Sequence, residues 1–272
     1  MTKSAEASAE QERWDQMGVR RLEDIRDNPA KYIIKDSPLS HRPQNDDFVK
    51  SLGDLKDKTV LDLGCGLGGM AVFLAQRGAK VTGLDIGPAL IEAATMIATT
   101  NKVDCKFQVG NITELSFASD SFDLVVGTAI LHHLSEPDLI KAVQEVHRVL
   151  HVGGTAVFSE PVENSRAFDF IQNLIPIKGR ERYRPSILQR KAWKQHLATL
   201  DDRPVTTQEL VRAGKPFKSV RVRAYGFLMR FSRFLPPKSG LRKKLKNLDN
   251  TLFRVLPPLR QFCQSALVEY HK

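Results

Sequence analysis

A glycine-rich turn carries the residues of this sequence that are best suited to chemistry. Residues 60–69 read Val-Leu-Asp-Leu-Gly-Cys-Gly-Leu-Gly-Gly, so an apolar run breaks into four glycines before a helical pattern begins at residue 70. This order predicts a strand, a turn and a helix. Glycines adopt positive φ and let a ligand lie against backbone N–H groups, and a helix N-terminus presents further free donors. The stretch therefore predicts a cradle for a polar or anionic ligand.

Two carboxylates accompany the turn. Asp85 follows a predicted second strand, residues 79–84, about twenty residues beyond the first glycine, and a carboxylate at that spacing can accept hydrogen bonds from both ribose hydroxyls. The alternative is that Asp85 caps the helix beginning at Pro88. Asp62 lies where dinucleotide-binding folds usually keep an apolar residue, and an acid there would face the positive end of a ligand. The glycines also fit G-x-G-x-x-G, so a nicotinamide-dependent oxidoreductase remains an alternative, which Asp62 disfavours.

The turn resembles motif I of the class I S-adenosylmethionine-dependent methyltransferases, whose E/D-x-G-x-G-x-G pattern is matched by Asp62, Gly64, Gly66 and Gly68. The later elements of the family follow in order, and the resemblance covers about residues 55–161. Asp85 matches the acid after strand two, and residues 110–112 match a G-D-[A/I] element. Residues 122–126 match strand four, and residues 145–154 match an E-x-x-R-V-L-x-P-G-G segment. Two positions depart from the pattern, since Asn111 replaces an Asp and Val152 a Pro.

The resemblance implies S-adenosylmethionine as the cofactor and no metal. The glycine turn would hold its methionine portion, Asp85 its ribose, and Asn111 with Ile112 its adenine. Asn111 keeps a carbonyl oxygen that can accept from the adenine amino group. The predicted cofactor-binding residues are Asp62, Gly64, Gly66, Gly68, Asp85, Ile86, Asn111, Ile112 and Thr128.

Two histidines and a glutamate are the candidates for a catalytic role. His132 and His133 follow strand four, where small-molecule methyltransferases often carry L-x-H-L, and the resemblance places one imidazole beside the transferring methyl group. Because the two are adjacent in sequence, we expect only one to face the reaction. A histidine can take the proton of an attacking hydroxyl, although positioning alone can also drive methyl transfer. Glu160, at the end of strand five, is the third candidate.

Strands alternate with helices along the chain, which predicts a parallel sheet covered on both faces. The resemblance implies an α/β fold with a doubly wound, seven-stranded, mostly parallel Rossmann-like sheet whose last strand is antiparallel and lies beside strand five. We predict one domain over residues 1–272. It comprises an N-terminal helical lid at residues 1–52 and a cofactor-binding core at residues 55–161. Two substrate-side helical insertions follow, at residues 162–204 and 228–264. The lid should place Trp14 or Tyr32 near the cofactor.

The charge is divided unevenly. Residues 1–160 hold 17 Lys and Arg against 23 Asp and Glu, whereas residues 161–272 hold 24 against 8. A basic half favours nucleic acid, anionic lipid surfaces or acidic substrates, unless it is only a solvated surface. The polar, acidic start lacks the pattern of a secretory signal, and the three cysteines lack metal or redox spacing. We therefore expect a cytoplasmic protein that can also bind at the periphery of a membrane.

These features predict methyl transfer to oxygen, carbon or nitrogen of a small-molecule or lipid-like acceptor, as in the group that includes ubiquinone and menaquinone biosynthetic methylases. The insertions mix Phe, Leu and basic residues, which suits an amphiphilic or anionic acceptor. The [N/D/S]-P-P-[Y/F] turn of base-modifying amino methylases is missing after strand four. An RNA-binding or RNA-modifying protein of the same fold, or a cofactor-binding protein without activity, remains an alternative. The acceptor, the methylated atom, the pathway and the oligomeric state are not encoded in any recognisable pattern.

Overall fold

A seven-stranded sheet forms the centre of the computed structural model, which describes residues 3–40, 42, 44–162, 205–229 and 240–272. In spatial order the strands are β3-β2-β1-β4-β5-β7-β6. Their bounds along the chain are β1 Thr59–Leu63, β2 Lys80–Asp85, β3 Cys105–Val109, β4 Phe122–Thr128, β5 Leu150–Pro161, β6 Ser219–Tyr225 and β7 Ser265–His271. Strands β1 to β5 pair in parallel, and β7 lies antiparallel between β5 and β6. The predicted fold class and the place of the last strand are confirmed.

Seven α-helices are described around this sheet. They are α1 Lys3–Asp27, α2 Asn45–Leu52, α3 Gly69–Ala75, α4 Pro88–Thr100, α5 Glu136–Val149, α6 Thr207–Ala213 and α7 Gly240–Val255. A capping box starts α6, where Thr206 and Glu209 exchange side-chain to backbone hydrogen bonds. The first insertion falls almost wholly on residues 163–204, which lie outside the described residues. Within the second insertion, α7 is followed by a 3₁₀-helix over Pro257–Phe262.

The period-2 alternation of the strands divides the core between the two faces of the sheet. Leu61 and Leu63 of β1 pack on the face covered by α5 and α6. Val60 packs on the opposite face with α2 and α3, and Asp62 shares that face because it is two residues further along the strand. Helix α1 packs on α4, where Leu22 and Ile25 are buried against Ala93 and Ile97 in a further cluster. The parallel strands thus receive helices on both faces, as predicted.

Glu145 and Arg148 of α5 clamp the loop between β3 and β4. The Glu145 carboxylate accepts from the backbone N–H of Leu115 at 2.9 Å, and Arg148 donates to the carbonyl oxygens of Leu115 and Phe117 at 2.9 and 2.8 Å. The two side chains also bind each other at 2.8 Å. This arrangement gives a physical reason for the E-x-x-R spacing, since one turn of α5 fixes the loop that begins with Asn111 and Ile112.

Candidate active site

The carboxyl ends of β1 to β5 meet at one edge of the sheet because these strands run in parallel. The edge brings together the sequence-predicted residues from five separate segments. Gly64 follows β1, Asp85 ends β2, Asn111 follows β3, Thr128 ends β4, and Glu160 lies one residue before the end of β5. Ligands of doubly wound sheets bind at such an edge, so this is the candidate active site.

The glycine turn needs glycine for two different reasons. Gly64, Gly66 and Gly68 have φ values of +68°, +51° and +73°, a region that L side chains rarely adopt. A Cβ on Gly64 would also lie 2.5 Å from the Ile130 side chain, whereas a Cβ on Gly66 would meet nothing within 4 Å. Space therefore remains open above Gly66, at the centre of the predicted cradle.

Asp85 joins the turn to the start of α4. Its Oδ2 accepts from the Gly66 N–H at 2.8 Å, and its Oδ1 accepts from the Gly87 N–H at 3.1 Å. A carboxylate has about four acceptor positions, so these bonds and a further one from the Ile86 backbone do not use its full capacity, and some remains for a ligand. Burial raises the pKa of Asp85, although the hydrogen bonds from Gly87 and Gly66 oppose that shift. The bond from Gly87 places Asp85 just before α4, as the helix-cap alternative requires, while the Ala89 N–H in the first turn donates to Asp15, at 2.7 Å.

Asp62 is a buried carboxylate with an unused oxygen. The residue is 1% exposed, and its Oδ2 has no hydrogen-bond partner. Desolvation raises its pKa to about 7; a hydrogen bond from the Ala71 backbone opposes the shift, and the nearby charge of Asp85 adds to it. An unpaired carboxylate oxygen beneath the glycine turn fits a site for a cationic group, because such a partner would offset the cost of desolvation.

This burial predicts a pH-dependent stability that an Asp62→Asn variant should lack. Between pH 3.8, the ordinary pKa of an aspartate, and about pH 7, the folded protein keeps a proton on Asp62 that the unfolded chain has lost. The contribution of Asp62 to the free energy of unfolding is therefore greatest below pH 3.8, falls as the pH rises through this window, and is lost above the folded-state pKa. Between pH 3.8 and about pH 7, the free energy of unfolding of the wild-type protein should fall by about 4 kcal/mol relative to that of Asp62→Asn. Urea unfolding at successive pH values measures the difference, and parallel curves for the two proteins would contradict the assignment.

Glu160 holds the segment after β4. This fully buried carboxylate accepts from the backbone N–H of Ile130 at 3.0 Å and of His132 at 3.3 Å. Its Oε2 also lies 3.0 Å from Nδ1 of His132. Because a carboxylate only accepts, Nδ1 carries the hydrogen, and Nε2 is left as the basic nitrogen of a neutral ring. The pair thus has the geometry of an oriented general base.

The two histidine rings pack against each other in the 3₁₀-turn Leu131–His133, with ring centroids 3.9 Å apart and an interplanar angle of 40°. That only one of them faces the reaction stays a prediction. His133 also contacts the Trp14 ring edge-to-face at 5.2 Å, and its charge lies close enough to Asp85 to lower the pKa of that carboxyl. Trp14 of α1 therefore borders the site. Tyr32 does not, since its backbone oxygen binds Asn101, just beyond the far end of α4.

The Asn111 side chain is less available than the sequence indicates. Its Oδ1 accepts from both the backbone N–H and the hydroxyl of Thr113, each at 2.9 Å, so the oxygen expected to bind adenine already has two partners. The adenine role predicted for that oxygen requires this local turn to open. Ile112 is buried beside it in the main core cluster.

Two features of the site have no signal in the sequence. Asp15 caps α4 from a position 74 residues away, and Gly18 allows the close contact between the two helices, because a Cβ there would lie 2.6 Å from the backbone of Ala89 and Leu90. Ala129 follows β4 with φ of +55°, a strained conformation for an alanine, held by a hydrogen bond to the Ser159 carbonyl. Both depend on tertiary neighbours.

The fold and this edge define a doubly wound α/β protein with a ligand site at the carboxyl ends of its strands, and comparisons with known proteins specify it further. A family model described as "Methyltransferase domain" matches residues 60–154. A ubiquinone biosynthesis O-methyltransferase of Coxiella burnetii is 32% identical over 165 residues, which cover 57% of this chain and 69% of that protein. The chain belongs to the class I S-adenosylmethionine-dependent methyltransferases.

Solved structures share the fold. An S-adenosylmethionine-dependent methyltransferase from Mesorhizobium loti superposes with a TM-score of 0.55 at 18% identity, covering 86% of this chain and 100% of that one. Phosphoethanolamine N-methyltransferase 2 of Haemonchus contortus was solved in complex with S-adenosyl-L-methionine. It superposes with a TM-score of 0.55 at 18% identity, covering 85% of this chain and 52% of that one. The relatives favour a small-molecule methyltransferase over the RNA-directed and inactive alternatives. Among the described residues, no helix combines the length and the apolar character needed to cross a membrane.

Proposed function

We propose that the protein transfers the methyl group of S-adenosylmethionine to a hydroxyl of a small, lipid-like acceptor. The observation that carries the choice of cofactor is the unpartnered Oδ2 of Asp62 beneath an open glycine turn. S-adenosylmethionine carries a cationic amino group in its methionine portion, and it carries a ribose. Asp62 is a buried acid that can face the amino group, and Asp85 can face the ribose. Nicotinamide nucleotides have no such cationic amine.

The predicted cofactor-binding residues divide the ligand among them. The Gly64–Gly68 turn and Asp62 would hold the methionine portion, and Asp85 with Ile86 the ribose. Ile112 and the exposed edge of Asn111 would border the adenine, and Thr128, at the end of β4, would lie beside the reacting methyl group. Open space at Gly66 and the remaining acceptor capacity of Asp85 support this assignment.

Helix α1 acts as a lid in this proposal. It is fixed at the start of α4 by the Asp15 to Ala89 hydrogen bond, and its Trp14 ring reaches His133 across the site. An aromatic ring at this border would exclude water from the cofactor. The described part of the segment predicted as a lid, residues 1–52, is consistent with that role.

Bound S-adenosylmethionine supplies a methyl group that is activated by its sulfonium. Most of the remaining task is to position the acceptor in line and to remove its proton. In the proposed reaction, Nε2 of His132 takes the proton of the acceptor hydroxyl, and Glu160 stabilises the imidazolium through Nδ1. An oxygen acceptor is further supported by the O-methyltransferases among the relatives, which act in ubiquinone biosynthesis.

Calorimetric titration with S-adenosylmethionine and, separately, with NADH tests the cofactor. We expect S-adenosylmethionine to bind and NADH to give no heat of binding, because Asp62 and Asp85 would face the cationic and ribose ends of the former. Incubation with a prenylated catechol should then release S-adenosylhomocysteine. Binding of NADH without binding of S-adenosylmethionine would overturn the proposal.

A further inference from the structure

An apolar stripe runs along the outer side of α7. It consists of Leu241, Leu248 and Val255, which are 48%, 47% and 68% exposed, and of Leu256 just beyond the helix, which is 51% exposed. Intervals of seven residues place the first three on one line along the helix. The opposite side of α7 faces the protein, where Asp249 and Phe253 are buried. The α7 stripe therefore lies on a surface that the packing of the helix leaves outward.

The helix around this stripe is strongly basic. Residues 240–255 contain five Lys and Arg and a single acid, Asp249, which is buried. Lys246 is engaged by Asp46 at 3.1 Å, whereas Lys244 and Arg254 are exposed to solvent. An apolar stripe bordered by cationic side chains matches a bilayer surface, because the leucines can enter the acyl boundary while the cations contact anionic headgroups.

Contacts on the buried side fix the orientation of α7. The Asp249 carboxylate accepts from the backbone N–H groups of Leu228 and Met229 at 2.6 and 2.9 Å, and the Phe253 ring packs near that of Phe227. These bonds would be lost if the helix rolled to bury its stripe. The contacts of Asp249 and Phe253 therefore keep the α7 stripe exposed to solvent instead of buried against the protein.

We infer that the α7 stripe docks on an anionic lipid bilayer. A second copy of the chain is a poorer occupant, because paired α7 helices would bring two basic segments together. Docking would also place the bilayer near the substrate edge, because α7 holds Leu228 just after β6 through Asp249. The end of β6 is level with Glu160, since Ala224 pairs with Ala266 and Ala266 pairs with Glu160. Delivery of a lipid-like acceptor to that edge rests on the proposed function, whereas the docking itself does not.

Vesicle sedimentation of the full chain without cofactor tests the inference. The protein should sediment with phosphatidylcholine vesicles that contain phosphatidylglycerol, and less with pure phosphatidylcholine or at high salt. A double variant, Leu248→Ser with Val255→Ser, should lower the partition coefficient by about tenfold or more. Replacing Val152 and Val211 with serine is the matched control, because these valines are 86% and 49% exposed elsewhere, and it should leave partitioning unchanged.

Three outcomes would overturn the inference. They are failure of the wild-type protein to sediment with anionic vesicles, equal partitioning of the double variant, and a solution dimer that the double variant dissociates, which would assign the stripe to self-contact. Titration with S-adenosylmethionine separates this result from the proposed function, since the double variant should bind the cofactor as the wild-type protein does. An unchanged far-ultraviolet circular dichroism spectrum would show that the variant keeps the helix content of the wild-type protein.

Discussion

Replacing Glu160 with glutamine is expected to lower kcat by about 10²- to 10³-fold while leaving the affinity for S-adenosylmethionine nearly unchanged. Glutamine fits the same space, and its carbonyl oxygen can still accept from the Ile130 N–H. Its amide group would instead donate to Nδ1 of His132, which moves the ring hydrogen to Nε2 and removes the base. Steady-state kinetics with a hydroxyl acceptor measures the effect.

Two companion variants make this result specific. Glu209→Gln is the matched control, because Glu209 is another buried glutamate whose capping-box role glutamine can also fill, so its kcat should equal that of the wild-type protein. His132→Asn should reduce kcat as strongly as Glu160→Gln, and the double variant should be no slower than either. Additive losses, or a kcat for Glu160→Gln within threefold of wild type, would reduce the pair to a packing role.

Asp85→Ala is expected to weaken the binding of S-adenosylmethionine by about 10²- to 10³-fold, since two charge-assisted hydrogen bonds to the ribose would be lost. The substitution also frees the N–H groups of Gly66 and Gly87, so the turn loses the carboxylate that holds it in its binding geometry. Calorimetric titration at a fixed salt concentration gives the change in Kd.

Asp123→Ala controls for the general effect of removing a hydrogen-bonded aspartate. Asp123 accepts from the backbone N–H and the hydroxyl of Thr59, both at 2.9 Å, at the amino-terminal edge of the sheet and therefore away from the site. This variant should lose stability and keep its affinity for the cofactor. If Asp85→Ala bound S-adenosylmethionine as tightly as Asp123→Ala, the ribose assignment would be wrong.

The parts of the fold that sequence reasoning reached are those fixed by local signals. Helix α4 begins at Pro88 as predicted, because proline favours the first turn and the apolar positions that follow repeat with helical period. Strand β7, Ser265–His271, is a short run with strand character and lies in the predicted place beside β5. Strand β5 begins at Leu150, inside the segment of residues 145–154 that matches E-x-x-R-V-L-x-P-G-G. Gly153 and Gly154 read as a turn, yet Leu150 pairs with Phe122 and the strand passes through the glycines with an irregular register.

The site was less accessible to the same reasoning because its contacts are long-range. The types and spacing of Asp62, Asp85 and the glycines led to the cradle. The bond between His132 and Glu160 joins positions 28 residues apart, and Asp15 reaches α4 over 74 residues, so neither pairing has a periodic or motif signal. The double engagement of Asn111 by Thr113 is local, and an Asx-turn two residues long could have been predicted from Asn-x-Thr.

The position of β7 also imposes an order on folding during synthesis. Strand β6 pairs with β7 and with no other strand among the described residues, and roughly forty residues separate the end of one from the start of the other. On the ribosome, β1 to β5 can assemble their parallel sheet while β6 waits with an unpaired edge. The basic half of the protein is therefore completed last. Until β7 inserts, the unpaired edge of β6 must be protected from edge-to-edge aggregation.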